Sequence, residues 1–378
     1  MASTVAQHRQ HLASLLLFQW LAIILAVARG LDPVCGEALG HEGLPLRRTD
    51  TGSHSSGKSK GSTHHVPLSE MTFWSWMSYL KDLPDIDESR SPVLKRLLSG
   101  SILRRDGSTS VNIRVPAKEL VRLLSLSEEQ EKEGVSVKVR LINLLDPKYS
   151  VYEAYLYREV LPKKSPLLLP SLGEFRGPFL TYIFHPLTKG LVGDMLETGR
   201  SLPDLQLLAA NMVAGLHSLH KLGLLHRSIE LNSFCILSDG KVVLGELQTA
   251  APIGTESRVW AGLLGRETAP EIDRNFLADF ALTQSRHTVK SDVYSLGVAF
   301  RNLLQLVGNG SMGPDDGGIV RRDHVERLDR LSQKMIDEEP ANRPNLEQIM
   351  KDPLFEGLSF QEIEEGIVRP FRHRQERL

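Results

Sequence analysis

Five short motifs occur in one order along this chain, and their order and spacing constrain the fold more than any other feature. Each motif alone is short enough to occur by chance. Together they lie between roughly Leu98 and Gly357, a length that suits one large domain or two lobes. The motifs are Val135–Lys138 (VSVK), His226–Arg227 (HR), Ala269–Glu271 (APE), Ser291–Gly297 (SDVYSLG) and Pro340–Pro344 (PANRP).

The pattern of apolar residues predicts an α+β fold with two lobes. Short runs rich in β-branched residues (TSVNIRV, VSVKVRLINL and FLTYIF) fill the first part, around one helical segment, Tyr149–Val160. A helical period takes over from Pro203. We therefore predict a small β-rich N-lobe over residues 101–185 and a larger α-helical C-lobe over residues 186–378.

The N-terminal region predicts a secreted chain. Residues 1–28 have a weakly basic start, an apolar core and an A-x-A ending, as in a cleaved signal peptide; a retained signal anchor is the alternative. Residues 29–66 read as a flexible tail rich in Ser, Gly and His, in which His64 and His65 lack further metal ligands, so no metal site is predicted. Residues 67–100 are predicted to be a helical extension with an aromatic face. No later stretch is long and apolar enough to span a bilayer, so we expect no transmembrane anchor after signal cleavage.

The charge balance argues against nucleic-acid binding. The state of the Cys235 thiol and glycosylation at Asn309 are left open by the sequence. The formal net charge of the 378 residues is −1, whereas a nucleic-acid binder would show a basic surplus. Cys235 lies in the apolar run FCIL, which favours a buried inert thiol, although a bridge to Cys35 stays open in an oxidising compartment. Asn309 begins the sequon Asn-Gly-Ser, a site for N-glycosylation in a secreted chain.

The five motifs resemble those of protein kinases, in the same order and at similar spacing. The signal peptide, the tail, the helical extension and a long small-lobe insertion further resemble the rhoptry kinase family that Toxoplasma-like parasites secrete. This resemblance implies a two-lobed kinase fold and delivery to the parasitophorous vacuole or cyst wall. It also implies protein partners, either active secreted kinases or proteins of the vacuole or cyst wall.

The nucleotide loop of the kinase pattern is degenerate in this chain. In LRRDGSTSV, Arg104, Asp106 and Thr109 stand where the family has glycines, and Gly107 is off register. Glycines allow backbone amides to approach phosphates, and a carboxylate there would face a polyanion. The segment therefore favours a plain hairpin turn.

Lys138 matches the strand lysine that contacts nucleotide phosphates in the family and pairs with a helix glutamate. Glu153 and Glu159 are both candidates for that partner. We favour Glu153, because Pro162 ends the helix soon after Glu159, but the sequence leaves both open. Such a pair can also be purely architectural, joining a helix to a sheet.

The catalytic loop, LLHRSIELNS, resembles the family pattern H-R-D-L-x-x-x-N but has lost its chemical groups. Ser228 replaces the catalytic aspartate, and a serine hydroxyl cannot act as a general base near neutral pH. Glu230 replaces a phosphate-contacting lysine, and Ser233 replaces the metal-binding asparagine. Glu246 aligns with the metal-binding aspartate of D-F-G, and Gln248 with its glycine.

Scaffold positions of the family, in contrast, are retained. His226 and Arg227 match residues that brace the catalytic loop, and Asp292 matches the helix aspartate that holds the backbone of that loop. Glu271 and Arg343 match the buried ion pair of the family. The residues that bind metal and phosphate in the family are replaced, whereas the residues that support the fold are retained. This pattern indicates a kinase fold without catalytic activity.

The sequence therefore predicts a secreted pseudokinase that acts as a structural, binding or allosteric scaffold, with no ATP or Mg²⁺ cofactor. The alternative is a nucleotide-binding switch or a residual phosphotransferase that uses Lys138 and Glu246.

Overall fold

The computed structural model describes residues 71–86, 108–113, 124, 126, 128, 132, 134–144, 147–161, 166–198, 204–254, 257–258, 268–272, 284–285, 287–308 and 322–367. Several predicted features lie outside these ranges. They are the signal peptide of residues 1–28, the tail of residues 29–66 with Cys35, His64 and His65, the loop residues Arg104, Asp106 and Gly107, and the sequon at Asn309.

The helices and strands follow the predicted change from strands to helices. The α-helices are α1 (Phe73–Asp82), α2 (Pro147–Tyr155), α3 (Val192–Glu197), α4 (Leu205–Lys221), α5 (Val289–Gly308), α6 (Arg322–Met335), α7 (Leu346–Ile349) and α8 (Phe360–Glu364). A π-helix, Leu156–Val160, continues α2, and 3-10 turns occur at Leu231–Ser233, Leu247–Thr249, Pro340–Asn342 and Pro353–Phe355. The strands are β1 (Ser108–Ile113), β2 (Val135–Leu141), β3 (Gly173–Arg176), β4 (Leu180–Pro186), β5 (Thr188–Leu191), β6 (Leu224–Leu225), β7 (Phe234–Leu237), β8 (Val242–Leu244), β9 (Ala251–Pro252), β10 (Ser257–Arg258) and β11 (Gln284–Ser285).

The chain divides into two compact units, of which the first comprises Met1–Asp82 with Ile142–Ser150. Its helix α1 begins after Thr72, whose hydroxyl accepts a hydrogen bond from the Ser75 N–H at 3.2 Å, as in an N-cap. Trp76 and Leu80, four residues apart, are buried on one face of the helix, whereas Trp74 is 62% exposed.

The second unit comprises Leu83–Leu141 with Val151–Leu378, and the predicted lobe boundary at residues 185–186 lies inside it. Its largest sheet has the strand order β1-β2-β4-β3, with every neighbouring pair antiparallel. Because side chains alternate along a strand, β2 has two different faces. One face packs Val135, Val137 and Val139 into a hydrophobic core with residues of β3 and β4. The opposite face carries Ser136, Lys138 and Arg140, which are also buried.

Helices form most of the rest of the second unit. The Asp204 side chain caps α4 by accepting from the Leu207 N–H at 3.1 Å, and twelve of the residues of α4 are buried, so this helix is a central core element. The three-stranded sheet β5-β7-β8 and the pair β6-β9 complete the part that carries the catalytic-loop motif. The prediction of an α+β fold is confirmed. Within the described ranges, the helices lack the combination of length and apolarity that a bilayer span requires.

Candidate functional site

Lys138 lies at the centre of the predicted site, and all of its hydrogen-bond donors are engaged. It projects from the polar face of β2 and is 5% exposed. Its ammonium group donates to Glu153 Oε1 at 2.9 Å, to Glu246 Oε2 at 3.0 Å and to Gln248 Oε1 at 2.7 Å. A lysine ammonium has three N–H donors, so these three acceptors satisfy it completely.

Of the two glutamates that the sequence left open, the structure pairs Glu153 with Lys138. Both Glu153 oxygens lie 2.9 Å from the Lys138 Nζ, whereas Glu159 lies in the π-helix with 27% of its side chain exposed. Glu153 also accepts from Arg140 at 3.5 Å and from the backbone N–H of Leu247 at 3.0 Å. One carboxylate therefore joins α2, the sheet and the turn that follows β8.

Opposite charges keep this cluster ionised although it is buried. Burial by itself lowers the pKa of Lys138, but the carboxylates of Glu153 and Glu246 outweigh that effect and raise the pKa above its ordinary 10.5. Burial acts to raise the pKa of Glu153, and the charges of Lys138 and Arg140 reverse this, so its pKa lies below the ordinary 4.5. Two cations and two carboxylates leave no surplus positive charge for a phosphate.

The turn at Glu246–Gln248 is held in a specific conformation. Glu246 has φ 55°, in the left-handed region, which costs a residue other than glycine on the order of 1 kcal/mol. Its ion pair with Lys138 and the buried Leu247 that follows offset that cost. The Thr249 hydroxyl donates to the carbonyl of His226 at 2.9 Å and so ties the turn to the catalytic loop.

Asp292 of α5 holds the backbone of the catalytic loop, the role that the family resemblance implies. Its carboxylate accepts from the N–H groups of His226 and Arg227, both at 2.8 Å, and from His220 Nε2 at 2.9 Å. Burial acts to raise the pKa of Asp292, but the hydrogen bond from His220 and the charges near it lower it. His226 in turn donates from Nε2 to the Gly245 carbonyl at 2.9 Å, so the loop and the strand end are fixed together.

At the metal-ligand position of the catalytic loop, the Ser233 side chain forms hydrogen bonds within the loop. Ser233 is 1% exposed, and its hydroxyl accepts from the Glu230 N–H and donates to the Ser228 carbonyl, each at 3.1 Å. Ser228 and Glu230 are exposed. The hydroxyl at the metal-ligand position is thus used within the loop, and an exposed carboxylate stands where the family has a lysine.

Glu271 and Arg343 form a bidentate ion pair. Arg343 Nη1 and Nη2 each lie 2.7 Å from one Glu271 oxygen. The arginine side chain is fully buried, and a quarter of the glutamate side chain remains exposed. The guanidinium also lies 4.8 Å from the centre of the Tyr294 ring.

Arg140 and His185 belong to the site and were missed by sequence reasoning, and Gln248 was recognised only as a replaced glycine. Arg140 contacts Glu153, and Gln248 contacts Lys138. His185 of β4 lies on the same face of the sheet, since β4 pairs Ile183 with Lys138 and His185 with Ser136. The two-residue alternation along VSVKVR and YIFH could have placed Arg140 and His185 there. Cys235 is a buried free thiol whose pKa is raised to about 12 by burial, the state that an inert core cysteine has.

Acidification is predicted to destabilise the protein through His185. Burial lowers the pKa of His185 to about 4, below its ordinary 6.5, while its Nδ1 lies 2.8 Å from the Pro170 carbonyl. The unfolded chain therefore binds the proton first, and stability is lost as the pH falls from 6.5 towards 4. We expect His185→Gln to reduce the slope of unfolding free energy against pH in urea titrations, by up to about 1.4 kcal/mol per pH unit. An unchanged slope in this variant would contradict the assignment.

Side chains of this protein occupy the position where a kinase lysine contacts the phosphates of a nucleotide. A phosphate would have to displace Glu246 or Gln248 from Lys138, and the exposed carboxylate of Glu230 would repel it. Within the described ranges, His, Cys, Asp and Glu side chains form no group of three or more that could hold a metal ion.

This chain is similar in sequence to a pseudokinase and to two protein kinases of Toxoplasma gondii. The chain is 73% identical over 379 residues to bradyzoite pseudokinase 1 of Toxoplasma gondii, with full coverage of both. It is 29% identical over 314 residues to the serine/threonine-protein kinase WNG1 of the same organism, and 32% identical over 262 residues to WNG2. These two alignments cover 82% and 68% of this chain and 45% of each kinase. No family model matches the chain.

A solved structure is also similar to this chain. It is described as a divergent kinase lacking the glycine-rich loop that regulates membrane ultrastructure of the Toxoplasma parasitophorous vacuole. The two share 70% sequence identity with a TM-score of 0.68, over 82% of this chain and all of that one.

Proposed function

The chain belongs to the family of bradyzoite pseudokinase 1, a pseudokinase branch of the protein-kinase fold, and from this premise we propose that it acts as a protein-binding or allosteric scaffold. The observation that carries the proposal is the saturation of Lys138 by Glu153, Glu246 and Gln248. Internal ligands occupy the position where an active kinase binds phosphate. The elements around the cleft are therefore held together without nucleotide. The protein then acts by binding partners at its surface.

We place this scaffold in the parasitophorous vacuole or the cyst wall, after cleavage of the predicted signal peptide. The support is the sequence pattern of residues 1–28 and the description of the similar structure, which concerns the vacuole. The partners of this scaffold are proteins, either active secreted kinases or components of the vacuole or cyst wall. Nucleic acid is not a partner, and glycosylation at Asn309 is consistent with secretion.

A nucleotide switch or a residual phosphotransferase is the second candidate, and one observation favours it. Glu246 retains a carboxylate at the metal-binding position, and 26% of its side chain is exposed. Displacement of Glu246 from Lys138 would leave an oxygen ligand of the kind that Mg²⁺ accepts. This candidate requires nucleotide and metal to bind together.

Thermal unfolding in the presence of nucleotide separates the two candidates. We expect no change in Tm of the mature chain at millimolar ATP or ADP, with or without Mg²⁺ or Mn²⁺. A ligand present at its Kd stabilises the folded state by about 0.4 kcal/mol, which would raise Tm of a chain of this length by about 0.5 °C, and a ligand at higher multiples of its Kd would raise it further. A protein kinase with intact H-R-D and D-F-G motifs is the positive control.

A metal-dependent rise in Tm that disappears in Glu246→Gln would contradict the scaffold proposal and support a switch. Transfer of labelled phosphate to any acceptor protein, lost in the same variant, would support a phosphotransferase instead.

A further inference from the structure

A cavity of about 600 Å³ is formed by residues at the start of α5, in α6, in the Pro340–Pro344 motif and in and after α7. Its volume lies within the range of about 300–1,000 Å³ found for ligand pockets. The described part of its lining combines apolar side chains, among them Leu331, Ala341 and Ile349, with charged and amide side chains. The lining also includes Arg343, so a residue that supports the fold forms one wall of this cavity.

Lys290 places an ammonium group in the lining that is held in position without a carboxylate partner. The residue is half-buried in the first turn of α5, and its Nζ donates to the carbonyl of Arg343. The Arg343 guanidinium donates back to the carbonyl of Lys290 at 3.0 Å, so the two residues fix each other. An ammonium has three N–H donors. In the described part of the chain the Arg343 carbonyl is its one partner, which leaves two donors and the positive charge available.

The other charges of the described lining are already offset by partners. The charge of Arg343 is balanced by Glu271, whose two oxygens each lie 2.7 Å from the guanidinium. Lys334 and Asp352 form an ion pair at 3.5 Å, in which the lysine side chain is 63% exposed. The charge of Lys290 is therefore a surplus of one positive charge among the lining residues that the structure describes.

Two amide side chains of the lining add further donors. Asn345 and Gln348 form a capping box: the Asn345 side-chain oxygen accepts from the Gln348 N–H at 2.8 Å, and the Gln348 side-chain oxygen accepts from the Asn345 N–H at 2.9 Å. Both amide oxygens are thus used within the turn, whereas both NH₂ groups lack a partner within the described ranges. The carboxylate of Asp352 is likewise used, by the Leu354 N–H at 3.0 Å and by Lys334. An occupant that accepts hydrogen bonds therefore suits this lining better than one that donates them.

We propose that this cavity binds a glutamate side chain presented by a partner protein. The inference rests on the proposed protein-binding function and names the site and the chemistry of the partner. A carboxylate carries the single negative charge that offsets Lys290, and its oxygens accept from the ammonium and from the amide NH₂ groups. A phosphate group carries about −1.5 to −2 at pH 7 and would exceed that surplus. The methylenes of the glutamate and apolar residues beside it in the partner suit the lining formed by Leu331, Ala341 and Ile349.

The test titrates the full mature chain with a capped peptide, acetyl-leucyl-glutamyl-leucine amide, by isothermal calorimetry or by NMR. The corresponding glutamine peptide has nearly the same shape but no charge, and the phosphoserine peptide carries a larger one. We expect millimolar binding of the glutamate peptide and about five- to tenfold weaker binding of the glutamine peptide. An ion pair with a half-buried lysine contributes more than an exposed pair and less than a fully desolvated one. The phosphoserine peptide is expected to bind no more tightly than the glutamate peptide.

Substitution of Lys290 locates the site on the protein. Lys290→Gln is expected to weaken binding of the glutamate peptide about five- to tenfold, because glutamine removes the charge. Its amide still has a donor for the carbonyl of Arg343, so the contact between α5 and the Pro340–Pro344 motif can be kept. Lys351→Gln, at an exposed position outside the described lining, removes the same charge and is the matched control. It is expected to change binding by less than about twofold, since exposed charges are screened by solvent and salt.

Asp352→Asn tests the charge balance in the opposite direction. It removes the carboxylate that lies 3.5 Å from Lys334, and asparagine can still accept from the Leu354 N–H, as an N-cap residue does. We therefore expect this variant to bind the glutamate peptide about threefold more tightly. A gain of binding cannot result from loss of folding, so this variant gives the answer if Lys290→Gln fails to fold.

Several outcomes would overturn the proposal. They are no binding of the glutamate peptide at tens of millimolar, equal binding of the glutamine peptide, tighter binding of the phosphoserine peptide, equal effects of Lys290→Gln and Lys351→Gln, and no gain in Asp352→Asn. A chain that dimerises in solution and becomes monomeric in Lys290→Gln would assign the cavity to a second copy instead. None of these outcomes affects the nucleotide titration, so failure of this site and failure of the scaffold function are distinguishable.

Discussion

Replacement of Arg343 by alanine will lower the free energy of unfolding by about 3–5 kcal/mol. The side chain is fully buried and binds Glu271 through two contacts of 2.7 Å. It also donates to the carbonyls of Asp337 at 2.8 Å, Lys290 at 3.0 Å and Glu338 at 3.3 Å. Alanine would leave the Glu271 carboxylate without its cation and would remove the hydrogen bonds that Arg343 donates to three carbonyls. That loss exceeds what an isolated salt bridge contributes.

Urea and thermal unfolding measure this effect, and Arg322→Ala is the matched control. Arg322 has 94% of its side chain exposed and, among the described residues, forms an ion pair with Glu326, one turn along α6, at 3.2 Å, so its loss should cost less than about 0.5 kcal/mol. The Arg343 variant should melt lower by about 1–2 °C for each kcal/mol lost. Arg343→Lys should fall between the two, since a lysine keeps the charge and loses the fork. Equal Tm values for Arg343→Ala and Arg322→Ala would show that the pair has no structural role.

The contacts of Arg343 and of Asp292 could be predicted from the order of the motifs, because each motif has a fixed place in the fold that the chain resembles. Arg343 and Glu271 are 72 residues apart, and Asp292 reaches back 66 residues to the N–H of His226. No local propensity or periodicity specifies such contacts. They were predicted because the chain resembles a family in which each motif has a fixed place. The strands β1, β2 and β4 and the long helices after Pro203, in contrast, followed from apolar periodicity, whereas the shorter strands were not predicted.

The ligands of Lys138 could be predicted only in part. The sequence identified Glu153 and Glu159 as candidates, and the choice depended on where the regular helix ends, which is decided by packing. Gln248, 110 residues from Lys138, was recognised only as a lost glycine. Its amide reaches the ammonium because Glu246 adopts a left-handed conformation, and a backbone angle of that kind cannot be inferred from residue type. The π-helix Leu156–Val160 was predicted as part of a regular helix, because a π-helix has no sequence signature of its own.

Replacement of Lys138 by methionine will destabilise the protein at pH 7 by about 3–5 kcal/mol, because it leaves the buried carboxylate of Glu153 without its principal cation. In an active kinase the same lysine serves nucleotide, and its loss is expected to affect binding more than folding. Here the loss should appear in urea unfolding of the protein without any ligand. Lys351→Met, at an exposed position, is the control and should leave the unfolding free energy unchanged within error.

The pH dependence of the Lys138→Met effect identifies its cause. In the wild type the pKa of Glu153 lies below 4.5 and that of Lys138 above 10.5, so the stability from this pair is present between those values. It is lost as the pH falls through the depressed pKa of Glu153 or rises through the elevated pKa of Lys138. In the variant, burial raises the pKa of Glu153, and only the Arg140 guanidinium at 3.5 Å and the hydrogen bond from the Leu247 N–H at 3.0 Å are left among the contacts described above to oppose it. Glu153 then binds a proton as the solution is acidified, and the stability difference between wild type and variant should narrow from pH 7 towards pH 4. A difference that stays constant over this range would mean that lost packing, and not the unpaired carboxylate, destabilises the variant.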